Sequence, residues 1–274
     1  MTRLARALAR ATEQFNATSG TPRLDAELLM AAALGIGRDK LILDPPNVAA
    51  PEAFAEMVER RRAGEPVAYI TGQRAFWTID LEVGPGALIP RPDSETLIVA
   101  AVEHFAGTGG PARILDLGTG PGTLLLAALD EWPNATGLGV DASPIALSYA
   151  QRNAERLGLA GRAALQLGDW ASGLSSRFDL ILCNPPYVAI DAEIGPGVAA
   201  YEPAEALFAG ADGLDDYRRL APAIGRLLAK SGLAAIEIGH DQGDSAAALF
   251  SAAGHAPSLA RDLADRPRAL LIRV

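Results

Sequence analysis

One tetrapeptide carries acceptor atoms arranged to bind a planar amino group. An apolar segment is followed by the run Asn184, Pro185, Pro186 and Tyr187. Two successive prolines fix φ and have no N–H, so the backbone offers only carbonyls here. Asn184 Oδ1 and the Pro185 carbonyl can each accept one N–H of an –NH₂ group, with Tyr187 packed on the flat group that bears it. The alternative is an exposed proline turn, such as the one at residues 44–47.

Acceptors for both N–H bonds of an amide would address a chemical difficulty. An amide nitrogen is a poor nucleophile because its lone pair is delocalised into the carbonyl. Accepting both hydrogens raises the electron density on nitrogen and lowers the barrier more in the transition state than in the ground state. The motif therefore predicts group transfer to a substrate amino or amide nitrogen, with no general base needed before attack.

A glycine-rich segment between a predicted strand and a predicted helix indicates a cofactor site. It contains, in order, Asp116, Leu117, Gly118, Thr119, Gly120, Pro121 and Gly122. Glycines let the backbone turn sharply and approach a ligand, although a tight turn without a ligand has the same pattern. A dinucleotide site would have the spacing G-x-G-x-x-G, and Asp116 would repel a pyrophosphate. S-adenosylmethionine, which carries an ammonium and a sulfonium, fits better than NAD.

The ends of the next two predicted strands carry further candidate contacts. Asp141 can accept hydrogen bonds from ribose hydroxyls. Alternatively, Asp141 or Ser143 can cap the following helix, and the two roles are compatible. Asp169 offers a carboxylate to an exocyclic amine, and Trp170 offers an indole that packs on a purine. The alternative for that pair is a surface turn with a buried tryptophan. Because ligands of open α/β sheets bind at the carboxyl ends of the strands, we expect these residues and Asn184 to lie together.

Strands and helices alternate from residue 113 onward. The predicted strands are 114–117, 136–140, 163–167, 178–183 and 233–238, and the predicted helices are 123–132, 144–157, 217–230 and 241–253. This alternation predicts a parallel α/β sheet, and two short segments near 257–262 and 269–274 predict an antiparallel edge. The first seventy residues predict helices, and a two-residue period near residues 76–83 predicts a hairpin.

Length and composition exclude several classes of protein. The 274 residues are 49% hydrophobic and 21% charged, which argues against a disordered, fibrous or coiled-coil protein. No apolar stretch approaches the ~20 residues of a membrane span. One cysteine and three histidines argue against a metal site and suit a reducing cytoplasm. Arginines at positions 3, 6 and 10 suggest a transit peptide, but the helical spacing of apolar residues there predicts a folded first helix.

The net charge of −9 is unevenly distributed. Residues 1–75 hold ten Lys or Arg and nine Asp or Glu, whereas residues 76–274 hold fourteen and twenty-four. An acidic body repels phosphates, so free nucleic acid is not an expected partner. The cluster at residues 60–62, three arginines, is a candidate docking surface or a solvated helix end favoured by the helix dipole.

Further motifs accompany the two already described. They include Tyr69-Ile70-Thr71-Gly72, Leu88-Ile89-Pro90-Arg91-Pro92-Asp93-Ser94-Glu95, Tyr201-Glu202-Pro203 and Glu237-Ile238-Gly239. With them the chain resembles, over nearly its whole length, the PrmC/HemK family of protein-(glutamine-N5) methyltransferases that modify peptide chain release factors. The combination of Ile-Pro-Arg-Pro with Asn-Pro-Pro-Tyr is specific, because adenine-N6 methyltransferases share only the second.

The resemblance implies a fold and a division of the chain. The fold class is α/β: a class I S-adenosylmethionine-dependent methyltransferase, Rossmann-like, with a mostly parallel seven-stranded sheet and an antiparallel edge, preceded by a small helical domain. Residues 1–72 are expected to dock the release factor, residues 73–86 to form a β-hairpin linker, and residues 87–274 to form the catalytic domain. A cytoplasmic monomer is expected, with S-adenosylmethionine as cofactor and S-adenosylhomocysteine as product.

The residue arguments and the resemblance together assign roles to individual residues. The substrate glutamine, in a Gly-Gly-Gln motif, is expected to bind at the catalytic residues Asn184, Pro185, Pro186 and Tyr187. The expected cofactor-binding residues are Asp116, Gly118, Thr119, Gly120, Pro121, Gly122, Asp141, Asp169, Trp170 and Asn184. Pro121 lacks an N–H, which removes one loop contact. Arg91 is a substrate-binding candidate in a loop that can close the site, or it pairs with Asp93 or Glu95 on the surface.

Two other functions stay open on the sequence alone. An adenine-N6 nucleic-acid methyltransferase would hold an adenine amino group on the same acceptors. A non-catalytic adaptor would use the helical domain to bind a partner and keep the cofactor fold as a scaffold. The acidic body argues against the first, and a polarised pair of acceptors argues against the second.

Overall fold

The structure, a computed structural model, describes residues 2–273 and contains two units. One unit extends to Gln73 and includes Ile194–Tyr201, and the other comprises Arg74–Glu193 and continues from Glu202. The predicted hairpin therefore belongs, from Arg74 onward, to the larger unit. The smaller unit also gains a segment from the middle of the chain that no sequence pattern had indicated.

The elements follow in chain order. The helices are α1 (Arg3–Phe15), α2 (Pro22–Leu34), α3 (Arg38–Leu43), α4 (Glu52–Arg62), α5 (Val67–Thr71), α6 (Glu95–His104), α7 (Thr123–Glu131), α8 (Pro144–Arg156), α9 (Pro196–Tyr201), α10 (Asp215–Leu227) and α11 (Gly243–Ala252). The strands are β1 (Gln73–Phe76), β2 (Ile79–Glu82), β3 (Arg113–Leu117), β4 (Thr136–Asp141), β5 (Ala163–Leu167), β6 (Phe178–Cys183), β7 (Leu228–Glu237), β8 (Ser258–Arg261) and β9 (Pro267–Arg273). Two 3₁₀ turns lie at Pro92–Ser94 and Ala204–Ala206.

The smaller unit forms around apolar side chains that its helices bury together, and α1 contributes a regular apolar stripe. In α1 the buried residues are Leu4, Leu8, Ala11 and Phe15, which recur at helical spacing. Thr2 caps α1 through a hydrogen bond from the Ala5 N–H to Oγ1 at 3.1 Å. The prediction of a folded first helix is therefore confirmed.

The three arginines at the end of α4 make different contacts. Arg61 is the buried member, and its guanidinium lies 2.7 Å from Asp25 Oδ2 on α2. It also donates to the Thr18 carbonyl at 3.1 Å. Arg60 and Arg62 pair with Glu65 and Glu59 and are more exposed. Arg61 thus holds two helices of the smaller unit together, whereas its two neighbours form more exposed ion pairs close to the end of α4.

The larger unit is built on a seven-stranded sheet of order β5-β4-β3-β6-β7-β9-β8. Strands β3 to β7 pair in parallel, whereas β9 pairs antiparallel with both β7 and β8. The central strands are almost fully buried, as expected for a parallel sheet covered on both faces. The predicted fold class is confirmed, and the carboxyl ends of β3, β4 and β6 lie side by side at one edge.

The junction of α10 and β7 differs from the prediction. The helix was predicted to reach residue 230, but it ends at Leu227, and β7 begins at once. Leu228 pairs with Phe178 before the register shifts, and Ser231 within the irregular part has φ of 61°. Lys230, Ser231 and Gly232 form a bulge that sequence periodicity cannot distinguish from a loop.

One buried side chain, Asn153, joins the end of the β1–β2 hairpin to the rest of the larger unit. Asn153 on α8 is fully buried and accepts a hydrogen bond from the Glu82 N–H at 2.6 Å. Its Nδ2 donates to the Glu82 carbonyl at 3.0 Å and to the Pro121 carbonyl at 2.9 Å. Asn153 therefore satisfies both backbone groups of Glu82 and one carbonyl of the glycine segment.

Two classes of feature are absent from the described part of the chain. Between residues 2 and 273, no helix combines the length and apolarity needed to cross a membrane. Within the same residues, no group of three or more His, Cys, Asp or Glu side chains is positioned to hold a metal ion.

We expect Asn153→Ala to destabilise the larger unit by about 2–4 kcal/mol, because it leaves buried backbone groups without partners. Urea unfolding followed by tryptophan fluorescence measures this change, since Trp77, Trp132 and Trp170 all belong to that unit. Gln151→Ala, on the exposed face of the same helix, is the control and should change stability by less than about 0.5 kcal/mol. Equal stability of the two variants would contradict the role given to Asn153.

Candidate active site

A cavity of about 630 Å³ lies at the carboxyl edge of the sheet, within the usual range for small-molecule sites. Segments that follow β3, β4, β5 and β6 line it together with residues of the segment 86–94. Most of the predicted site residues line this cavity: Arg91, Asp116, Gly118, Thr119, Gly120, Pro121, Asp141, Asp169, Trp170, Asn184 and Pro186. Gly122, Pro185 and Tyr187 do not belong to its lining.

The glycine segment has a conformation that requires glycine at particular positions. Gly118 and Gly122 have φ of 73° and 89°, in the left-handed region. A Cβ on Gly118 would lie 3.1 Å from the Trp170 ring, and a Cβ on Gly122 would lie 2.7 Å from Leu126 Cδ1. At Gly118 the backbone therefore lies close to the Trp170 indole. At Gly122 the absence of a Cβ leaves room for the Leu126 side chain of α7.

The N–H groups of this segment are hydrogen-bonded within the protein. The Gly118 and Thr119 N–H groups both donate to the Val140 carbonyl, at 2.9 and 3.0 Å. The Gly120 N–H donates to Asp141 Oδ2 at 2.7 Å, and Pro121 has none. Because these amides are occupied, the segment offers no donors to a phosphate, which agrees with the prediction against a dinucleotide.

Asp116 is fully buried and holds the glycine segment on α7. Its Oδ2 accepts the Thr119 hydroxyl at 2.7 Å and the Leu125 N–H at 3.1 Å. Burial raises the pKa of Asp116 to about 7, although those two hydrogen bonds oppose the rise. Within residues 2–273 its Oδ1 has no hydrogen-bond partner. Asp116 thus holds the backbone through Oδ2, while Oδ1 keeps its capacity to accept a hydrogen bond.

Asp141, at the end of β4, also ties the local backbone. Its Oδ2 holds the Gly120 N–H, and its Oδ1 accepts the Ser143 N–H at 2.8 Å. The cap of α8 is Ser143, whose Oγ accepts from the Ala146 N–H at 3.2 Å. Each carboxylate oxygen has a second lone pair, so Asp141 can still accept hydrogen bonds from ribose hydroxyls.

The segment after β5 is held by two residues of α10. Asp169 forms an ion pair with Arg219, at 2.6 and 2.5 Å from its two oxygens. The Trp170 indole donates to Asp216 Oδ1 at 3.0 Å, and burial raises the pKa of Asp216. Trp170 has φ of 48°, a strained conformation for a residue with a Cβ. The ring is therefore fixed against Gly118 by its indole N–H.

Asn184 is oriented by a residue from another part of the chain. Its Nδ2 donates to Ser94 Oγ at 3.1 Å, and Ser94 is almost fully buried. In this orientation of the amide, Oδ1 faces away from Ser94. Both residues line the cavity, and the role of Asn184 Oδ1 as an acceptor for a substrate amide stays a prediction.

The rest of the Asn184–Tyr187 motif is partly turned away from the cavity, since only Pro186 also lines it. Pro185 is buried, and Tyr187 packs against the core of the sheet. The Tyr187 hydroxyl donates to Glu237 Oε1 at 3.3 Å, and burial beside this carboxylate raises the pKa of Tyr187. Packing of its ring on a substrate stays a prediction.

Arg91 pairs with neither of the acidic neighbours considered from the sequence. Its guanidinium lies 2.5 Å from Glu202 Oε1, and Glu202 Oε2 accepts the Ile89 N–H at 3.1 Å. Asp93 pairs instead with Arg268, and Glu95 accepts the Trp77 N–H. Glu202 therefore fastens the segment 89–91 beside the cavity.

Several residues at the site were not predicted to act there. They are Ser94, Glu202, Asp216, Arg219 and Glu237. Ser94, Glu202 and Glu237 lie inside motifs that support the family resemblance, which was their only signal. Asp216 and Arg219 lie on the polar side of an amphipathic helix, where acidic and basic residues are common.

Family models match both parts of the chain. The PrmC N-terminal domain matches residues 6–72, and a methyltransferase domain matches residues 110–239. Among solved structures, a methyltransferase from Pyrococcus furiosus aligns with a TM-score of 0.52 at 18% identity, covering 80% of this chain and 96% of that one. At this identity the likeness shows the fold.

Curated relatives match at higher identity. The release factor glutamine methyltransferase of Rhodospirillum rubrum is 45% identical over 258 residues, covering 92% of this chain and 79% of that protein. That of Caulobacter vibrioides is 43% identical over 261 residues, covering 91% and 89%. The resemblance predicted from the motifs is confirmed, and the chain belongs to the release factor glutamine methyltransferase family.

Proposed function

We propose that this protein transfers the methyl group of S-adenosylmethionine to N5, the side-chain amide nitrogen of the glutamine in the Gly-Gly-Gln motif of peptide chain release factors. The observation that carries the proposal is the Asn184 amide, which Ser94 orients so that Oδ1 is free to accept an N–H at the cavity. The names of the relatives support the substrate class.

The residues present fit S-adenosylmethionine. Asp116 Oδ1, a buried carboxylate oxygen without a partner in the described chain, suits a cationic group. Asp141 suits ribose hydroxyls, and Trp170 offers an aromatic face at the cavity. The glycine segment lacks free amides for phosphate. When bound, S-adenosylmethionine supplies an electrophilic methyl group on a sulfonium and is converted to S-adenosylhomocysteine.

The protein contributes orientation and hydrogen-bond acceptors. Asn184 Oδ1 and the Pro185 carbonyl accept the two N–H bonds of the glutamine amide and hold its nitrogen towards the methyl donor. Both hydrogen bonds strengthen as positive charge develops on this nitrogen, so they stabilise the transition state more than the ground state. One N–H proton leaves to solvent after transfer, and no base on the protein is needed before attack.

We propose that the helical unit binds the release factor. The PrmC N-terminal domain model covers most of this unit. Arg60 and Arg62 are its exposed cations at the end of α4, while Arg61 is used internally. An acidic surface of the substrate would compete with Glu65 and Glu59 for these two guanidiniums.

Mass spectrometry of the Gly-Gly-Gln peptide tests the proposed reaction. A bacterial release factor is incubated with the protein and isotopically labelled S-adenosylmethionine, and a parallel reaction contains DNA and RNA. We expect label on the glutamine side chain and none on nucleic acid. Label on adenine alone would overturn the proposal in favour of an adenine-N6 methyltransferase, and no label on any substrate would favour a non-catalytic adaptor.

We expect Asn184→Ala to lower kcat by about 100-fold or more, because a hydrogen bond that strengthens in the transition state is lost. Binding of S-adenosylmethionine, measured by calorimetry, should change by less than about threefold, because the other proposed cofactor contacts, at Asp116, Asp141 and Trp170, remain. The exposed Asn134→Ala serves as the control and should keep normal turnover. An unchanged kcat in Asn184→Ala would refute the role of Asn184.

We expect the affinity for S-adenosylmethionine to increase with pH between 6 and 8. Asp116, with a pKa raised to about 7, is mostly neutral at pH 6 and then no longer attracts a cation. If only the ionised form binds, Kd at pH 6 is up to about tenfold higher than at pH 8.

Calorimetry at pH 6, 7 and 8 measures this dependence, with Asp116→Asn and Asp244→Asn as a matched pair. Asp244 is exposed on α11, away from the cavity lining, and its variant should keep the wild-type pH dependence. Asp116→Asn should bind more weakly at pH 8 and show a flatter profile. A full pH dependence in Asp116→Asn would assign the titration to another group.

A further inference from the structure

Glu237, at the carboxyl end of β7, is a buried carboxylate that the proposed reaction does not use. It is 0% exposed and does not belong to the cavity lining. Its Oε1 accepts the Tyr187 hydroxyl, and its Oε2 has no partner that meets hydrogen-bond geometry among residues 2–273. A buried carboxylate oxygen without a donor costs free energy, so a nearby donor is expected.

The candidate donor is the Ser94 hydroxyl, which is almost fully buried and already contacts Asn184. Burial raises the pKa of Glu237 to about 7, and Ser94, Arg268 and the Tyr187 hydroxyl favour the ionised carboxylate and oppose that rise. Ser94 Oγ already accepts a hydrogen bond from Asn184 Nδ2. A hydroxyl has one proton, which rotates freely about the C–O bond, and the proton of Ser94 is therefore available to Glu237.

We propose that Glu237 is a positioning residue that orients both ends of the Asn184–Tyr187 motif, through the Ser94 hydroxyl at one end and the Tyr187 hydroxyl at the other. This inference rests on the proposed function, because it explains how Asn184 is kept as an acceptor for the substrate amide.

The direction of the hydrogen bonds follows from what each group can do. An ionised carboxylate accepts only. At a pH above the pKa of Glu237, which is about 7, Ser94 therefore donates to Glu237 and can then only accept from Asn184. The atom of Asn184 that faces Ser94 must therefore be Nδ2, and Oδ1 must face away from Ser94. Without this constraint the amide can rotate by half a turn, which would place an N–H donor against the substrate N–H.

The same arrangement polarises the acceptor. Hydrogen bonds in a chain strengthen one another in a low-dielectric interior. Donation from Nδ2 through Ser94 towards a negative carboxylate increases the electron density on Oδ1. Glu237 therefore acts on the substrate amide through Asn184 and needs no contact with it.

Glu237→Gln, Ser94→Ala and the double variant test the inference. The glutamine side chain both donates and accepts, so it no longer fixes the direction of the Ser94 hydroxyl. We expect each single variant to lower kcat for the release factor by about 10- to 100-fold, with less than about a threefold change in KM and in the Kd of S-adenosylmethionine.

The double variant should be no slower than the slower single variant, because the two changes interrupt one connected pathway. Ser94→Thr, which keeps the hydroxyl, should recover most of the turnover lost in Ser94→Ala. Ser251→Ala, which removes an exposed hydroxyl from α11, is the control with normal kcat.

Three results would overturn the inference: normal kcat in Ser94→Ala and Glu237→Gln, losses that multiply in the double variant, or losses confined to KM and cofactor affinity. If Glu237→Gln does not fold, as judged by thermal melting, the comparison of Ser94→Ala with Ser94→Thr decides the question. Equal turnover in those two variants also counts against it. Failure of the wild-type protein to label the release factor is a separate outcome and refutes the proposed function itself.

Discussion

The shape of the site depends on a buried carboxylate that binds both ends of one turn. Asp116 Oδ2 holds the Thr119 hydroxyl on the glycine segment and the Leu125 N–H in the first turn of α7. This pair of hydrogen bonds fixes the path from β3 to α7. The position of Gly118 against the Trp170 ring and the hydrogen bond from Gly120 to Asp141 both follow from that path. A neutral side chain without two acceptor lone pairs at this oxygen would not hold the turn.

Asp116 and Glu237 share an unusual state. Both are fully buried near the carboxyl ends of their strands, and each has one oxygen with partners and one without, within residues 2–273. Burial raises the pKa of both to about 7, which is the thermodynamic signature of an unfavourable environment for charge. Keeping such groups charged in the interior costs free energy, which the surrounding sheet core offsets.

Local patterns were enough to predict the strands and the residues at their carboxyl ends. Asp116, Asp141 and Asn184 meet because strand order and direction bring their positions to one edge. The partners of these residues were not predictable in the same way. Ser94 lies ninety residues before Asn184, and Glu202 lies 111 residues after Arg91. Which distant side chain meets a given polar atom is decided by tertiary packing, for which periodicity carries no signal.

The same limit explains the differences in the fold. The bulge at Ser231 extends β7 backwards through residues that are typical of a loop, because pairing with β6 outweighs local preference. The segment Ile194–Tyr201 belongs to the smaller unit although it follows a catalytic-domain motif in the chain. The return of the chain to the smaller unit could not be predicted, because the composition of this segment does not distinguish it from its neighbours.

Asn153 has a mechanical consequence. One amide group holds the end of the hairpin at Glu82 and the carbonyl of Pro121 in the glycine segment. This side chain is fully buried on α8. It therefore links two backbone segments, at Glu82 and at Pro121, that are distant in sequence. A displacement of the hairpin at Glu82 is therefore transmitted to the glycine segment at Pro121 through the hydrogen bonds of one side chain, without passing along the intervening chain.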